Sequence, residues 1–236
     1  MKKLVLFDID GTLIRSLLQV RAFERFTYAI KKVYGIDIHT DLALTGGRYN
    51  GTGDRWIILD LMKESGLSKQ EIIEGLPEIA NEFCSYLDKM AMHQQVYEVI
   101  HDARMLVDTV VSSPHHIASV LTGNLEKSAQ WKLKHAGYKL FYDFGIFGQE
   151  ADQRQDLAAL VFSKSKNHLG FEIPPQNIVI IGDTVHDVRC GKAIGAMTIA
   201  VSSGLNVDKK SLEQEKPDLL VDSLMDKRVL ELLGLE

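Results

Sequence analysis

What the chain has little of narrows the field first. Its 236 residues include two cysteines, Cys84 and Cys190. Neither stands at metal-ligand spacing, so a disulfide framework and a zinc ribbon are both excluded. Both fall in predicted helices and read as reduced packing thiols. No stretch approaches the roughly 18 consecutive apolar residues of a membrane helix. An apolar run at residues 4–7 follows Met1-Lys2-Lys3, but it stops at Asp8. That is too short for the apolar region of a signal peptide, and the expected location is the cytoplasm, with no membrane partner. There is no cluster of Lys and Arg to track a nucleic-acid backbone. The formal net charge of −5 further disfavours a polyanion binder. Internal repeats and low-complexity segments are also missing.

What remains is ordinary globular composition, with 45% hydrophobic and 25% charged residues. A chain of this length builds one large domain, or one domain with a smaller insertion. Continuous apolar runs occur at 4–7, 117–121, 178–181 and 197–201, with a weaker one at 218–221. Runs of this kind suit strands buried on both faces. Helical patterns at 125–136, 156–169, 185–194 and 224–233 separate them. Strands alternating with helices predict an α/β fold, with a parallel, Rossmann-like sheet covered by helices on both faces. The stretch 16–90 differs. It carries helical spacing at 21–34, 54–64 and 69–89 and no clear buried strand, so it reads as an inserted α-helical cap. The expected division is a core of 1–15 and 91–236 with a cap of 16–90. Gly46, Gly47, Gly51 and Gly53 form a polar loop within the cap. That loop lacks the Gly-Lys-Ser/Thr of a P-loop, and Arg48 or Arg55 is its candidate for reaching a ligand.

In an open parallel sheet, ligands bind beyond the carboxyl ends of the strands. Three of the apolar runs end in small, hydroxyl or acidic residues. After 4–7 come Asp8, Asp10, Gly11 and Thr12; after 117–121 come Thr122, Gly123 and Asn124; after 178–181 come Gly182, Asp183, Thr184 and then Asp187. Clustered carboxylates repel by roughly 4 kcal/mol per pair at about 4 Å and an effective dielectric near 20. A hard cation with oxygen ligands relieves this, and Mg²⁺ suits such a set with room for water and phosphate. An EF-hand is excluded: counting from Asp8, glycine stands at the fourth position and Gln19 where the closing Glu would be.

Asp8-Ile9-Asp10-Gly11-Thr12-Leu13 resembles the first motif of the haloacid dehalogenase-like (HAD) superfamily. Leu121-Thr122-Gly123-Asn124 resembles the second motif, and Gly182-Asp183-Thr184-Val185-His186-Asp187 the acidic fourth. The texture is closest to the phosphoglycolate phosphatase and β-phosphoglucomutase-like branch, whose helical cap follows the first motif. The resemblance implies a Mg²⁺-dependent phosphatase acting on a small phosphorylated metabolite, as a monomer or homodimer. It implies that Asp8 is the nucleophile and a metal ligand. Asp10 is implied as acid and then base, with its backbone carbonyl on the metal. Thr122, with Gly123 and Asn124, is implied to hold the phosphoryl oxygens, and Asp183 and Asp187 to serve the metal site. The third motif departs from the family, which usually has Lys. Here Asp152-Gln153-Arg154-Gln155-Asp156 stands in its place, and Arg154 is the expected phosphate-binding cation. Lys164 and Lys166 are the fallback candidates. A phosphosugar mutase with the same core is the alternative activity, and a non-catalytic binding protein on this fold is the alternative class.

Overall fold

The computed structural model describes residues 2–18, 21–39, 49, 51–202 and 208–235, without the side chains of Arg21, Ala22 and Arg154. Its centre is strand β1 (Lys3–Phe7). Successive strand residues point to opposite sides. Val5 and Phe7 accordingly pack into one apolar layer with Leu106, Ala129, Leu133 and Val229. Leu4 and Leu6 pack into the other, with Val161, Ile178 and Cys190. All four side chains are fully buried, which for residues of this size is worth about 2 kcal/mol each. This is why the run carries no polar residue before Asp8.

Around β1 stand β4 (His116–Leu121), β5 (Gly145–Ile146), β6 (Ile178–Gly182), β7 (Met197–Val201) and β8 (Leu219–Val221). The sheet order is β5-β4-β1-β6-β7-β8, and every pairing is parallel. From β1 the chain builds outward through β4 and β5, then crosses back to build β6, β7 and β8 on the other side. The reversal of direction falls at β4, β1 and β6, whose carboxyl ends form one crevice.

The helical segment lies between β2 (Ile14–Ser16) and β3 (Tyr97–Val99). These short strands pair antiparallel, Ile14 with Val99 and Ser16 with Tyr97, and an Arg15–Glu98 ion pair of 3.0 Å spans them. The cap proposed from sequence, 16–90, begins within this ribbon and ends just before it. Its helices are α1 (Arg21–Tyr34), α2 (Asp54–Leu61), α3 (Lys69–Glu74) and α4 (Leu76–Ala91). The pattern expected as one helix over 69–89 is broken at Gly75, with Pro77 opening the second piece. Ser68 and Glu71 form a capping box at the start of α3. Phe26, Ile30, Ile58, Ile79 and Phe83 close a separate apolar core, into which Leu125 inserts from outside the cap.

The remaining helices are α5 (His101–Ser112), α6 (Glu126–His135), α7 (Leu160–Leu169), α8 (Val185–Ala193), α9 (Lys209–Gln214) and α10 (Lys227–Leu233). The helix expected from residue 156 starts four residues later, after a 3₁₀ turn at Arg154–Asp156. Cys84 and Cys190 are free and buried. Among the described residues no helix is long and apolar enough to cross a membrane.

Candidate active site

The crevice gathers three carboxylates. Oxygens of Asp8, Asp183 and Asp187 all lie within 4.8 Å of one another. Asp8 follows β1 directly, and its N–H donates to the Ile181 carbonyl of β6 at 2.9 Å. Asp183 follows β6 and accepts a hydrogen bond from the Thr12 hydroxyl at 3.3 Å. Asp187 has two roles at once. It is the third residue of α8, where its Oδ2 accepts from Thr184 N at 3.0 Å and Thr184 Oγ1 at 2.6 Å, completing a capping box. It also faces the other two acids.

Glycine makes this density of carboxylates possible. A Cβ on Gly182 would sit 2.3 Å from the Asp187 carboxyl carbon. Gly11 has φ +85, and its Cβ would lie 2.1 Å from Asp183 Oδ2. At about 5 Å and an effective dielectric near 20, each like-charged pair repels by roughly 3 kcal/mol. Burial first, and then the Asp187 carboxylate, push the Asp183 carboxyl up to about 8. An all-oxygen donor set under this strain fits a hard divalent cation.

Asp10 does something different. Its carboxylate is absent from the cluster of three. Instead Oδ2 accepts from Lys132 Nζ at 2.6 Å and from Asn124 Nδ2 at 2.8 Å. Burial pushes the Asp10 carboxyl up, but Lys132, Arg25 and Asn124 outweigh it and hold the group below the usual carboxylate range. Asn124 also donates to the Thr122 hydroxyl, from Nδ2 at 2.7 Å and from its backbone N–H at 3.3 Å. With both acceptor positions used, Thr122 has its own proton to offer a ligand oxygen.

The cap closes over these groups. Asp54, at the first turn of α2, is 3% exposed. Its N–H donates to the Gly123 carbonyl at 2.8 Å. Its Oδ2 accepts from Leu125 N at 3.0 Å and from Ser128 Oγ at 3.3 Å. Leu125 stands at the N-cap of α6, where its own side chain cannot accept a hydrogen bond. The cap of α6 is therefore supplied by Asp54, 71 residues away in sequence. The other oxygen of Asp54 pairs with Arg25 at 3.1 Å, and that guanidinium lies 4.3 Å from the centre of the Phe26 ring. Breaking a buried ion pair from one side leaves the partner charge stranded, at about 3 kcal/mol or more. Asp54→Ala is thus expected to lower unfolding free energy by at least that amount in urea titration, and Asp54→Asn by less, since the amide oxygen still accepts from Leu125 N.

Residues 155–227 match the family model described as HAD-hydrolase-like. Over 232 residues the chain is 25% identical to a phosphoglycolate phosphatase of Aquifex aeolicus, covering 97% of this chain and 99% of the relative. A Pseudomonas aeruginosa protein named phosphoglycolate phosphatase 1 is 24% identical, with 95% and 78% covered. Among solved structures, CbbY from Rhodobacter sphaeroides in complex with phosphate superposes with TM-score 0.72 at 18% identity, covering 99% of this chain and all of that one. The chain is thus similar to HAD-like hydrolases, through the family model over residues 155–227 and through relatives matched along nearly its whole length at 24–25% identity.

Within this chain the candidate residues separate into groups. Asp8, Asp183 and Asp187 converge; Asp10, Thr122 and Asn124 form a hydrogen-bonded chain beside them. The backbone of Arg154 lies in the 3₁₀ turn before α7, and its side chain falls outside the described part. Lys164 donates to the Gly145 carbonyl at 2.6 Å and pairs with Glu150 at 2.5 Å. Gly46, Gly47 and Arg48 lie outside the described residues. Arg55 binds the Gln149 carbonyl at 2.9 Å and the Asp152 carboxylate, so it fastens cap to core. Trp56 does likewise, donating to the Asp152 carbonyl at 2.9 Å. Phe23 and Phe26 pack inside the cap. Lys132 and Arg25 are the charged groups that sequence reasoning passed over.

Proposed function

We propose that this HAD-like protein is a Mg²⁺-dependent phosphatase that hydrolyses a small phosphomonoester through an aspartyl-phosphate on Asp8. The observation that carries the reading is the convergence of Asp8, Asp183 and Asp187 within 4.8 Å at the ends of adjacent strands. Asp8, Asp183 and Asp187 would hold Mg²⁺, with the backbone carbonyl of Asp10. When bound, the cation neutralises these carboxylates and the negative charge of the transferring phosphoryl group.

The chemistry divides into two halves. In the first, a carboxylate oxygen of Asp8 bonds to phosphorus as the bond from phosphorus to the ester oxygen breaks. With the anionic phosphoryl group bound beside it, which favours the protonated carboxyl, Asp10 enters this half carrying a proton and gives it to the departing oxygen, which leaves as an alcohol. In the second, Asp10, now a carboxylate, takes a proton from water as that water attacks phosphorus. Inorganic phosphate leaves, and Asp8 and Asp10 return to their starting forms. Thr122, Gly123, Asn124 and Arg154 hold the non-bridging oxygens. Thr122 is 1% exposed and Asp8 6% exposed under the cap, which supports a small substrate. Free, buried Cys84 and Cys190 support a reducing, cytoplasmic setting. We expect a monomer or a homodimer.

The test is Mg²⁺-dependent phosphate release from a panel of phosphorylated metabolites, with phosphoglycolate first because relatives carry that name. Release that disappears with chelator is the expected result. Absence of turnover across the panel would remove the enzymatic reading. Isomerisation of a hexose 1-phosphate without phosphate release would favour the mutase instead.

A further inference from the structure

Lys132 takes no part in the chemistry just described, yet it lies against it. It sits on α6 with its side chain 1% exposed. Its ammonium contacts Asp10 Oδ2 at 2.6 Å and Asn124 Oδ1 at 2.5 Å, and lies 5.6 Å from the centre of the Tyr97 ring. Asn124 Nδ2 reaches the same Asp10 oxygen at 2.8 Å. Lysine, asparagine and Oδ2 thus close a triangle in which each member touches the other two. The Asp10 side chain nevertheless keeps 44% of its surface open to the cleft.

A buried ion pair is a poor way to gain stability, since apolar residues of the same volume do as well or better. Keeping an ammonium in this interior makes more sense as a device for orientation. We propose that Lys132 is a positioning residue: with Asn124 it anchors Oδ2 of Asp10, so that Oδ1 is the oxygen that gives and takes the proton. Among the described residues, both hydrogen bonds to this carboxylate go to Oδ2, which leaves Oδ1 for the leaving oxygen and the water. Because Asn124 also bonds the Thr122 hydroxyl, one triangle sets the acid/base and a phosphoryl-binding group in register. The inference rests on the phosphatase reading above.

The test compares Mg²⁺-loaded wild type, Lys132→Met, Asp10→Asn and the double variant on two substrates. One is an alkyl phosphate, whose leaving oxygen needs a proton. The other is p-nitrophenyl phosphate, whose leaving group departs without one. General acid catalysis contributes about 10² to 10⁴. Lys132→Met is expected to lower kcat/KM for the alkyl ester at least about tenfold more than for the aryl ester, and to add little to Asp10→Asn. Equal losses on both substrates, or additive losses in the double variant, would make Lys132 merely structural. Thermal melting supplies an arm independent of turnover. Asp10→Asn strands a buried ammonium and should lower Tm by several degrees, and adding Lys132→Met should restore most of the loss. Additive Tm changes would overturn the triangle itself. An inactive wild type would instead count against the phosphatase reading, leaving the melting arm to decide the clamp.

Discussion

Replacing Asp8 by asparagine is expected to reduce phosphate release by about 10⁴-fold or more, the scale seen when a catalytic nucleophile is removed. The reason is geometric and chemical. Asp8 directly follows β1, a central strand whose residues 4–7 are fully buried, and its carboxylate is one of three within 4.8 Å. An amide of the same shape keeps the packing but is a far weaker nucleophile and a weaker ligand for a hard cation. The same variant should melt cooperatively, because Leu4, Val5, Leu6 and Phe7 are untouched. Steady-state phosphate release beside a melting curve checks both halves. Retained activity would remove Asp8 as the nucleophile.

The second large effect concerns Asp183 and pH. In an unfolded chain its carboxyl titrates near 3.8; in the metal-free fold burial and Asp187 push it up to about 8. Below about pH 4 both states hold the proton, and the group contributes nothing to stability. Between 4 and 8 the unfolded chain loses the proton while the folded protein keeps it, so stability falls as pH rises. Above 8 the penalty is constant, at several kcal/mol by the size of the gap. Metal-free protein is therefore expected to melt markedly lower at pH 8 than at pH 5.5. Mg²⁺ should close most of that difference. Its apparent affinity should rise by up to about tenfold per pH unit until pH 8 and then level off, with up to one proton released per ion. Calorimetry in two buffers of different ionisation enthalpy counts that proton. Asp183→Asn should raise the metal-free Tm, flatten its pH dependence and abolish the response to Mg²⁺. A metal-free Tm that does not change with pH would contradict the raised value.

The parts legible in the sequence are those with a local physical signature. A strand buried on both faces must be apolar throughout, so β1, β4, β6 and β7 stand out as unbroken runs. Residues following such runs are forced to the crevice, which is what makes Asp8, Thr122 and Asp183 candidates. Helix α5 is absent from the sequence reading, although Ala103, Leu106, Val107 and Val110 follow helical spacing and are buried. The ribbon of β2 and β3 has no such signature. Each strand is three residues long, and the pairing joins Ile14 to Val99 across the whole helical segment. Strand β5 has two residues.

Lys132 was the hardest to see. Its partner Asp10 is 122 residues away, and no spacing rule connects them. The one available hint was that Lys132 shares a helix face with buried Ala129 and Leu133, where a charge is out of place unless paired. Arg25 and Asp54 give a similar lesson. Each looks like an ordinary exposed helix residue until the cap is set down on α6.

The central claim is that phosphorus becomes bonded to Asp8. It is tested most directly by trapping. Enzyme turning over substrate with Mg²⁺ would be quenched and treated with borohydride, which reduces an acyl phosphate to the alcohol. The account predicts homoserine at residue 8, read by peptide mass, and none when substrate is left out. Turnover with residue 8 still aspartate, or with the reduced residue elsewhere in the chain, would contradict it.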